Sequence, residues 1–188
     1  MGVREKNACH RAAGVVLKNG ERELRERLAE NPSDPAALLR LARLVGSARG
    51  RKDEAVDLWR RYVQLADTSR RAEALLALGR AQIEARRDAE AITTLQRCSE
   101  ENPENVEAWD LLGELLRRAG RLDAAVRALG HVVKLDPQAI RARAAMVFCL
   151  DALGRRLEAQ QVLGDLQRLG GADPAVAALV RELVQRRG

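Results

Sequence analysis

A pattern that recurs every 34 residues constrains this chain more than any other feature of its sequence. The clearest copy runs from Val106 to Pro137, and it contains a Leu-Gly pair at 112–113 that stands again at 78–79. Periods of about 20 to 50 residues are typical of proteins built from stacked units, in which one unit cannot bury its apolar surface alone. Each copy is therefore predicted to be one supersecondary element that packs against its neighbours.

Apolar residues inside this copy are spaced three and four apart in two separate stretches. The first stretch holds Trp109, Leu112 and Leu116, and the second holds Ala125, Leu129 and Val132. This spacing places each set on one face of a helix, so two antiparallel helices are predicted to bury these faces against each other. Gly113 and Ala125 are the small residues expected where the two backbones come closest. Pro137 is expected to end the second helix, because proline cannot continue the hydrogen-bond ladder.

The composition agrees with a helical core. Of the 188 residues, 46% are hydrophobic but only 2% are aromatic, so Leu, Ala and Val must fill the interior of a single domain. No stretch approaches the roughly 18 uncharged apolar residues of a membrane span. Cys9, Cys98 and Cys149 have neither the number nor the spacing of a disulfide framework or a zinc site, and the last two are predicted to be buried thiols. A cytoplasmic protein is predicted.

The copy at 106–137 reads W-x2-L-G-x2-L, then A-x3-L, then P. It resembles the tetratricopeptide repeat (TPR), whose pattern is W-x2-L-G-x2-Y, A-x3-F, P, with leucines in place of the later aromatics. The resemblance implies an all-α fold: a right-handed superhelical solenoid of antiparallel helix pairs, with about four repeats and a C-terminal capping helix. Three glycines follow the first helix of a copy, where a left-handed turn favours glycine: Gly50, Gly120 and Gly154.

The repeat register divides the chain into three parts. Residues 1–34 are predicted to be an N-terminal helical segment or a truncated leading repeat, and residues 174–188 a capping helix. The TPR domain is predicted at 35–173, with repeats at 35–71, 72–105, 106–139 and 140–173. Helices are expected over about 4–17 and over 21–30, with a turn at Asn19-Gly20 between them. One residue is inserted at 46–47, and two more around 68–71 separate the first repeat from the second.

No constellation of residues predicts catalysis. The two histidines, His10 and His131, lie in different parts of the repeat pattern, with His131 at a position expected to be exposed. The glycine-rich phosphate loop, the zinc-protease helix and the nucleophile elbow are all absent from the sequence. Trp59 and Trp109 are predicted to be core residues. The protein is therefore predicted not to be an enzyme and to bind no cofactor or metal.

In TPR proteins the first helices line a concave face that holds an extended peptide or a partner helix, so the resemblance implies a protein-binding adaptor or assembly scaffold. The residues predicted on that face are Leu39, Arg43, Leu76, Arg80, Ile83, Asp110, Glu114, Arg117, Arg141 and Phe148. Arg43 and Arg80 could fork to a carboxylate of the partner or remain solvated charges. Phe148 could anchor a partner side chain or pack under the capping helix. The lysine and asparagine clamp of chaperone-binding TPR domains is not matched.

The net charge of +6 is unevenly distributed, since residues 35–71 hold nine basic and four acidic side chains. Seven basic residues there could form a patch for an acidic partner or a phosphate backbone: Arg49, Arg51, Lys52, Arg60, Arg61, Arg70 and Arg71. Nucleic-acid binding is disfavoured because no exposed aromatic residues are interleaved with this patch. Two alternatives to partner binding stay open: self-association as a homo-oligomer, and polyanion binding through the first repeat.

Overall fold

The computed structural model describes residues 19–48, 50–170 and 174–185, which form ten helices and no strand. The helices are α1 (described over 19–30), α2 (Pro35–Gly46), α3 (Lys52–Leu65), α4 (Thr68–Glu84), α5 (Asp88–Glu101), α6 (Val106–Arg118), α7 (Leu122–Leu135), α8 (Ile140–Ala152), α9 (Arg156–Gly170) and α10 (Pro174–Gln185). The predicted all-α class is confirmed. As expected, α7 ends before the proline at 137.

The chain divides into two compact units, Met1–Arg87 and Asp88–Gly188. In the first unit α2 packs against α3, and α3 packs against α4. In the second unit each helix from α5 to α9 packs against the next, and α10 packs on both α8 and α9. Packing between neighbours in the chain is the arrangement that a repeat pattern predicts.

Among the described residues, three helices begin with a short polar side chain that caps the first turn. Asp34, Asp67 and Asn105 each accept a hydrogen bond from backbone N–H groups at the start of α2, α4 and α6. The first turn of a helix has N–H groups without an acceptor inside the helix, so these caps stabilise the point at which each helix starts. In α2 the cap is followed by Pro35, a residue suited to the first helical position.

The turns that follow the first helices have left-handed backbone. Gly50, Gly120 and Gly154 have φ angles of 79°, 72° and 73°, which confirms the predicted role of these glycines. The turn between α4 and α5 has no glycine, and Arg86 adopts a φ of 61° there. An L-residue with a side chain is strained in this conformation, so the turn carries an energetic cost that the other three avoid.

Gly113 lies where α6 packs against α7. A Cβ atom at this position would lie 2.8 Å from both Cγ and Cδ2 of Leu129. Ala125 on the facing helix is completely buried. The prediction that both residues must be small is confirmed for the glycine by this distance and agrees with the burial of the alanine.

Apolar clusters join successive helices of the second unit. One cluster places Leu129 and Val132 of α7 against Ala142 of α8, so the apolar face of one helix pair is covered by the next. Another contains Val180 and Leu183 of α10 together with residues of α8 and α9. The last helix therefore covers apolar surface that the final helix pair would otherwise expose, as expected of a capping helix.

The turn predicted at Asn19-Gly20 is wrong, because both residues are helical. A glycine inside a helix costs about 1 kcal/mol relative to alanine. Tertiary contacts of the same helix offset this cost: Leu28 is buried, and Glu21 accepts two hydrogen bonds from Arg51 at 2.9 and 2.7 Å. Local propensity is therefore overridden by packing and pairing.

The residues around 68–71 do not separate two repeats, as the sequence suggested, but form the first turn of α4. This helix has 17 residues, whereas α6 and α8 have 13 each. The cap at Asp67 explains the difference, because its side chain accepts a hydrogen bond from Arg70 N and allows the helix to begin early.

The two tryptophans differ in their burial. Trp59 is a core residue as predicted, with 8% of its surface exposed. Trp109 is only partly buried, so its assignment to the core is wrong in degree. Its ring stacks on the exposed His131 at a centroid distance of 4.2 Å, and its Nε1 donates to Pro103 O at 2.9 Å. An indole at the edge of the core can keep its polar N–H bonded while its ring packs.

The cysteines of the described residues are both buried, as predicted. Cys98 and Cys149 have no exposed surface, and burial raises the pKa of the Cys149 thiol. Cys9, His10 and the helix predicted over about 4–17 lie outside the described residues.

Ion pairs connect successive copies of the repeat pattern within each unit. Their partners are 30 to 34 residues apart: Glu21 with Arg51, Asp53 with Arg87, Asp88 with Arg118, and Asp123 with Arg155. The arginines lie at or next to the turns between helices. Because these side chains are partly exposed, each pair is expected to contribute roughly 0–1 kcal/mol to stability.

Candidate functional site

The first unit contains a cavity of about 540 Å³ between α2 and α4, which we call the basic groove. Leu39 and Arg43 of α2 form one wall, and the other wall is formed by residues of α4: Arg70, Glu73, Ala74, Leu76, Ala77 and Arg80. Positions three and four apart in a helix share a face, which is why one side of α4 supplies so many of these residues. The floor is formed by Trp59 and Tyr62 of α3.

The floor of the basic groove is aromatic and rigid. The rings of Trp59 and Tyr62 pack edge to face, with centroids 5.9 Å apart and planes at 77°. Only 8% of Trp59 and 6% of Tyr62 are exposed. Both side chains are fixed by the core of the unit, so they offer a preformed surface to a ligand.

The charges around the basic groove are mostly positive. Arg43, Arg70 and Arg80 line it, against a single carboxylate at Glu73. Arg43 is exposed, and among the described residues its side chain is found in no ion pair. A smaller cavity of about 170 Å³ adjoins the groove and shares Arg43, Trp59 and Arg80 with it.

The second unit contains a cavity of about 360 Å³, which we call the Phe148 groove. Residues of α6 and α8 line it, including Asp110, Arg117, Arg141 and Phe148. Phe148 is 42% exposed. The ring is therefore accessible and is not covered by the last helix.

One face of the Phe148 ring is covered by Arg117, whose guanidinium carbon lies 5.4 Å from the ring centroid. This distance is within the range of a cation–π interaction. Arg117 also donates two hydrogen bonds to Glu114, at 2.9 and 2.7 Å, and these bonds hold the pKa of the Glu114 carboxyl below its ordinary value. The arginine is thus held in place by its carboxylate and in turn orients the ring.

Nine of the ten residues predicted on the partner face line one of these two grooves. Leu39, Arg43, Leu76 and Arg80 meet in the basic groove, and Asp110, Glu114, Arg117, Arg141 and Phe148 meet in the Phe148 groove. Ile83 lines neither and is half-buried in α4. A role for these residues in partner binding stays a prediction.

Sequence reasoning missed the floor of the basic groove and one of its charges. Trp59 was predicted to be a core residue and Tyr62 was given no role, and both are buried, yet both also line the groove. Arg70 was expected in a basic patch and lines the groove instead. The three-residue spacing of Arg70, Glu73 and Leu76 on one helix is the signal that could have found it.

Carboxylates neutralise part of the basic patch predicted in the first repeat. Arg51 pairs with Glu21 and Glu54, and Lys52 pairs with Glu84. Arg60 pairs with Asp57, and Arg61 and Arg71 donate to backbone carbonyls. Arg49 lies outside the described residues. This pairing reduces the positive charge that the patch could offer to a polyanion.

Comparison with known families decides the identity of the repeat. Residues 72–115 and 116–183 each match the tetratricopeptide repeat family, and the two matches together cover more than half of the chain. The chain belongs to the tetratricopeptide repeat family. TPR domains are generally protein-interaction scaffolds, and they are typically non-catalytic. No protein with a curated description matches the chain.

Solved structures with the same fold include other TPR proteins. The crystal structure of MamA is 25% identical and has a TM-score of 0.70, covering 91% of this chain and 96% of that one. MamA from Desulfovibrio magneticus RS-1 is 19% identical, with a TM-score of 0.67 and coverage of 93% and 99%. YrrB, described as "a TPR protein with an unusual peptide-binding site", is 19% identical, with a TM-score of 0.73 and coverage of 91% and 86%.

In the part of the chain that the structure describes, no group of three or more His, Cys, Asp or Glu residues could hold a metal ion. None of the helices among those residues is both long and apolar enough to cross a membrane.

Proposed function

We propose that this TPR protein is a non-enzymatic adaptor or assembly scaffold of the cytoplasm that binds a segment of a partner protein on its first helices. The observation that carries the proposal is the convergence of nine predicted residues into two preformed grooves. Volumes of about 360 and 540 Å³ are in the range of ligand-binding cavities. The peptide-binding site named for YrrB supports the same role by analogy.

The contacts within the grooves favour a protein ligand. Each groove combines apolar or aromatic surface with guanidinium groups: Trp59 and Tyr62 with Arg43 in one, and Phe148 with Arg117 in the other. Buried aromatic residues and arginines supply most of the binding energy in protein interfaces. Short segments that dock in such surfaces gain affinity from a few anchored side chains.

Affinity capture of partners with altered grooves tests the proposal. The full chain and two groove variants, Arg43→Glu/Arg80→Glu and Phe148→Ala, are used as baits beside Arg40→Glu, a control on the exposed part of α2. Captured partners are then produced in pure form, and their dissociation constants are measured by fluorescence anisotropy. At least one groove variant is expected to weaken binding about tenfold or more, with unchanged helicity, whereas Arg40→Glu should bind normally.

Equal binding of every captured partner to wild type and to both groove variants would contradict the proposal. Light scattering distinguishes a monomer from the alternative of self-association. A mass near 20.7 kDa over a wide concentration range indicates a monomer. A higher mass would indicate an oligomer. If Phe148→Ala or the two arginine reversals returned the mass to that of a monomer, the grooves would instead be contacts between copies of this chain.

A further inference from the structure

We infer that the basic groove takes an acidic protein segment, with a carboxylate held among Arg43, Arg70 and Arg80 and an apolar side chain placed over Trp59 and Tyr62. The inference rests on the proposed function and gives the chemistry of the ligand. It concerns one groove only, because the Phe148 groove has a different balance of charge.

The charge of the basic groove favours an acidic ligand. Three guanidinium groups and one carboxylate line the basic groove, so its wall carries a net charge of about +2. The Phe148 groove holds two arginines, Arg117 and Arg141, against the two carboxylates of Asp110 and Glu114. Positive charge in a concave site concentrates the field and favours an anionic group. Selection for acidic ligands is therefore expected at the basic groove and not at the other.

The aromatic floor sets a second requirement. Trp59 and Tyr62 are more than nine-tenths buried, and their edge-to-face contact fixes both rings. A ligand that presented only charge would leave this surface and the half-buried Leu39 and Leu76 in contact with water. Covering apolar surface is favourable by about 25 cal/mol per Å². An apolar side chain next to the carboxylate satisfies both parts of the groove.

The adjoining cavity indicates an extended segment and not an isolated side chain. It shares Arg43, Trp59, Ala77 and Arg80 with the basic groove, so these residues stand where the two spaces meet. The planar guanidinium of arginine can donate two parallel hydrogen bonds to one carboxylate. A carboxylate at the junction would leave neighbouring side chains of the segment on either side, one in each cavity.

A nucleic-acid backbone fits the same surface less well. Phosphate contacts need several accessible cations along a strand, whereas Arg51, Lys52 and Arg60 of the same unit are engaged by carboxylates. Trp59 and Tyr62 are more than nine-tenths buried, so they leave little ring face for a base to stack on.

A random library of twelve-residue peptides displayed on phage tests the inference with the full-length protein as bait. Parallel selections use wild type, Arg43→Glu and Arg40→Glu. The last variant makes the same charge change on the same helix but outside the basic groove and the cavity that adjoins it. Wild type and Arg40→Glu are expected to enrich sequences in which Asp or Glu stands next to an apolar residue. Arg43→Glu should lose this enrichment.

Affinities of the selected peptides make the test quantitative. The best acidic peptide and a copy with Gln for each Glu, or Asn for each Asp, are measured by fluorescence anisotropy at physiological salt. The neutral copy and the Arg43→Glu protein should each weaken binding about tenfold, while Arg40→Glu stays within about twofold. Arg70→Glu provides a second groove variant if Arg43→Glu lowers the melting temperature.

Three results would overturn the inference. Enriched peptides that are neutral or basic, or whose binding depends on Phe148 and not on Arg43, would leave the proposed function intact but remove acidic selection by this groove. Displacement of the peptide by a twelve-nucleotide single strand that binds more tightly, with the same dependence on Arg43, would assign the site to polyanions. Failure of every bait to enrich any sequence above an unfolded-protein control would count against the proposed function as well.

Discussion

Replacing Gly113 with alanine sets two opposite effects against each other. Alanine is the better helix former by about 1 kcal/mol. In this protein, however, the new Cβ would lie 2.8 Å from two carbons of Leu129, well inside the ordinary contact distance of about 3.5–4.0 Å. Leu129 is 2% exposed and cannot move aside into solvent. Overpacking of this kind costs about 1–3 kcal/mol, so a net loss of about 1 kcal/mol in the free energy of unfolding is expected.

Gly130 provides a matched control, because it lies in the neighbouring helix α7 and a Cβ there would meet nothing within 4 Å. Gly130→Ala should therefore raise stability by about 0.5–1 kcal/mol. Urea titration followed by far-UV circular dichroism measures both variants, and their midpoints should move in opposite directions.

Removing Leu129 tests whether its side chain is the cause. In a Leu129→Ala background the close contact is gone, so Gly113→Ala should become stabilising, and the coupling between the two substitutions should approach the overpacking cost. If Gly113→Ala stabilises the otherwise unaltered protein as Gly130→Ala does, the inference that a Cβ at position 113 would clash with Leu129 is wrong.

Two further predictions concern the left-handed turn and the ion pairs. Arg86→Gly should raise the free energy of unfolding by about 1 kcal/mol in urea titrations, because it removes the strain of a φ of 61°, while Gly120→Ala at an equivalent turn should lower it by a similar amount. The hydrogen bonds from Arg51 lower the pKa of Glu21 from an ordinary 4.5 to about 2 in the fold. The carboxylate therefore stabilises the fold fully above pH 4.5, and this contribution, about 1 kcal/mol for a partly exposed pair, is lost as the pH falls towards 2. Glu21→Gln should remove that part of the acid sensitivity of the melting temperature and the exposed control Glu23→Gln should not, so equal acid profiles for the two variants would contradict the pairing.

The features that could be predicted from the sequence are those that the repeat imposes on every copy. The small residue at Gly113 and the left-handed turns at Gly120 and Gly154 follow from backbone geometry, which admits few side chains. Successive apolar faces could be assigned because helical spacing places them on the side that the next helix covers. Most residues that line the two grooves could be assigned because they lie on the part of each first helix that helix packing leaves uncovered, while their role in partner binding stays a prediction.

Features that depend on interactions between distant residues could not be predicted. The helical state of residues 19–20 depends on pairing of α1 with Arg51, about 30 residues away. The aromatic floor of the basic groove depends on which edges of Trp59 and Tyr62 the neighbouring helices leave uncovered. The start of α4 at Thr68, which is earlier than the 34-residue spacing predicts, depends on the single cap at Asp67. In each case the local pattern allowed more than one outcome, and tertiary contacts selected between them.

The ion pairs between successive copies have a consequence for how such a chain can change in length. Each pair takes its acid from one copy and its arginine from the next, about one period later. The register of these pairs differs between junctions, because Arg87 and Arg155 precede their helices whereas Arg118 ends α6. The residue one period before Arg118 is Glu84, so duplication of the copy at 72–105 would bring a carboxylate opposite Asp88. Gain or loss of a repeat at this junction would therefore need a compensating change of charge as well as a good apolar fit.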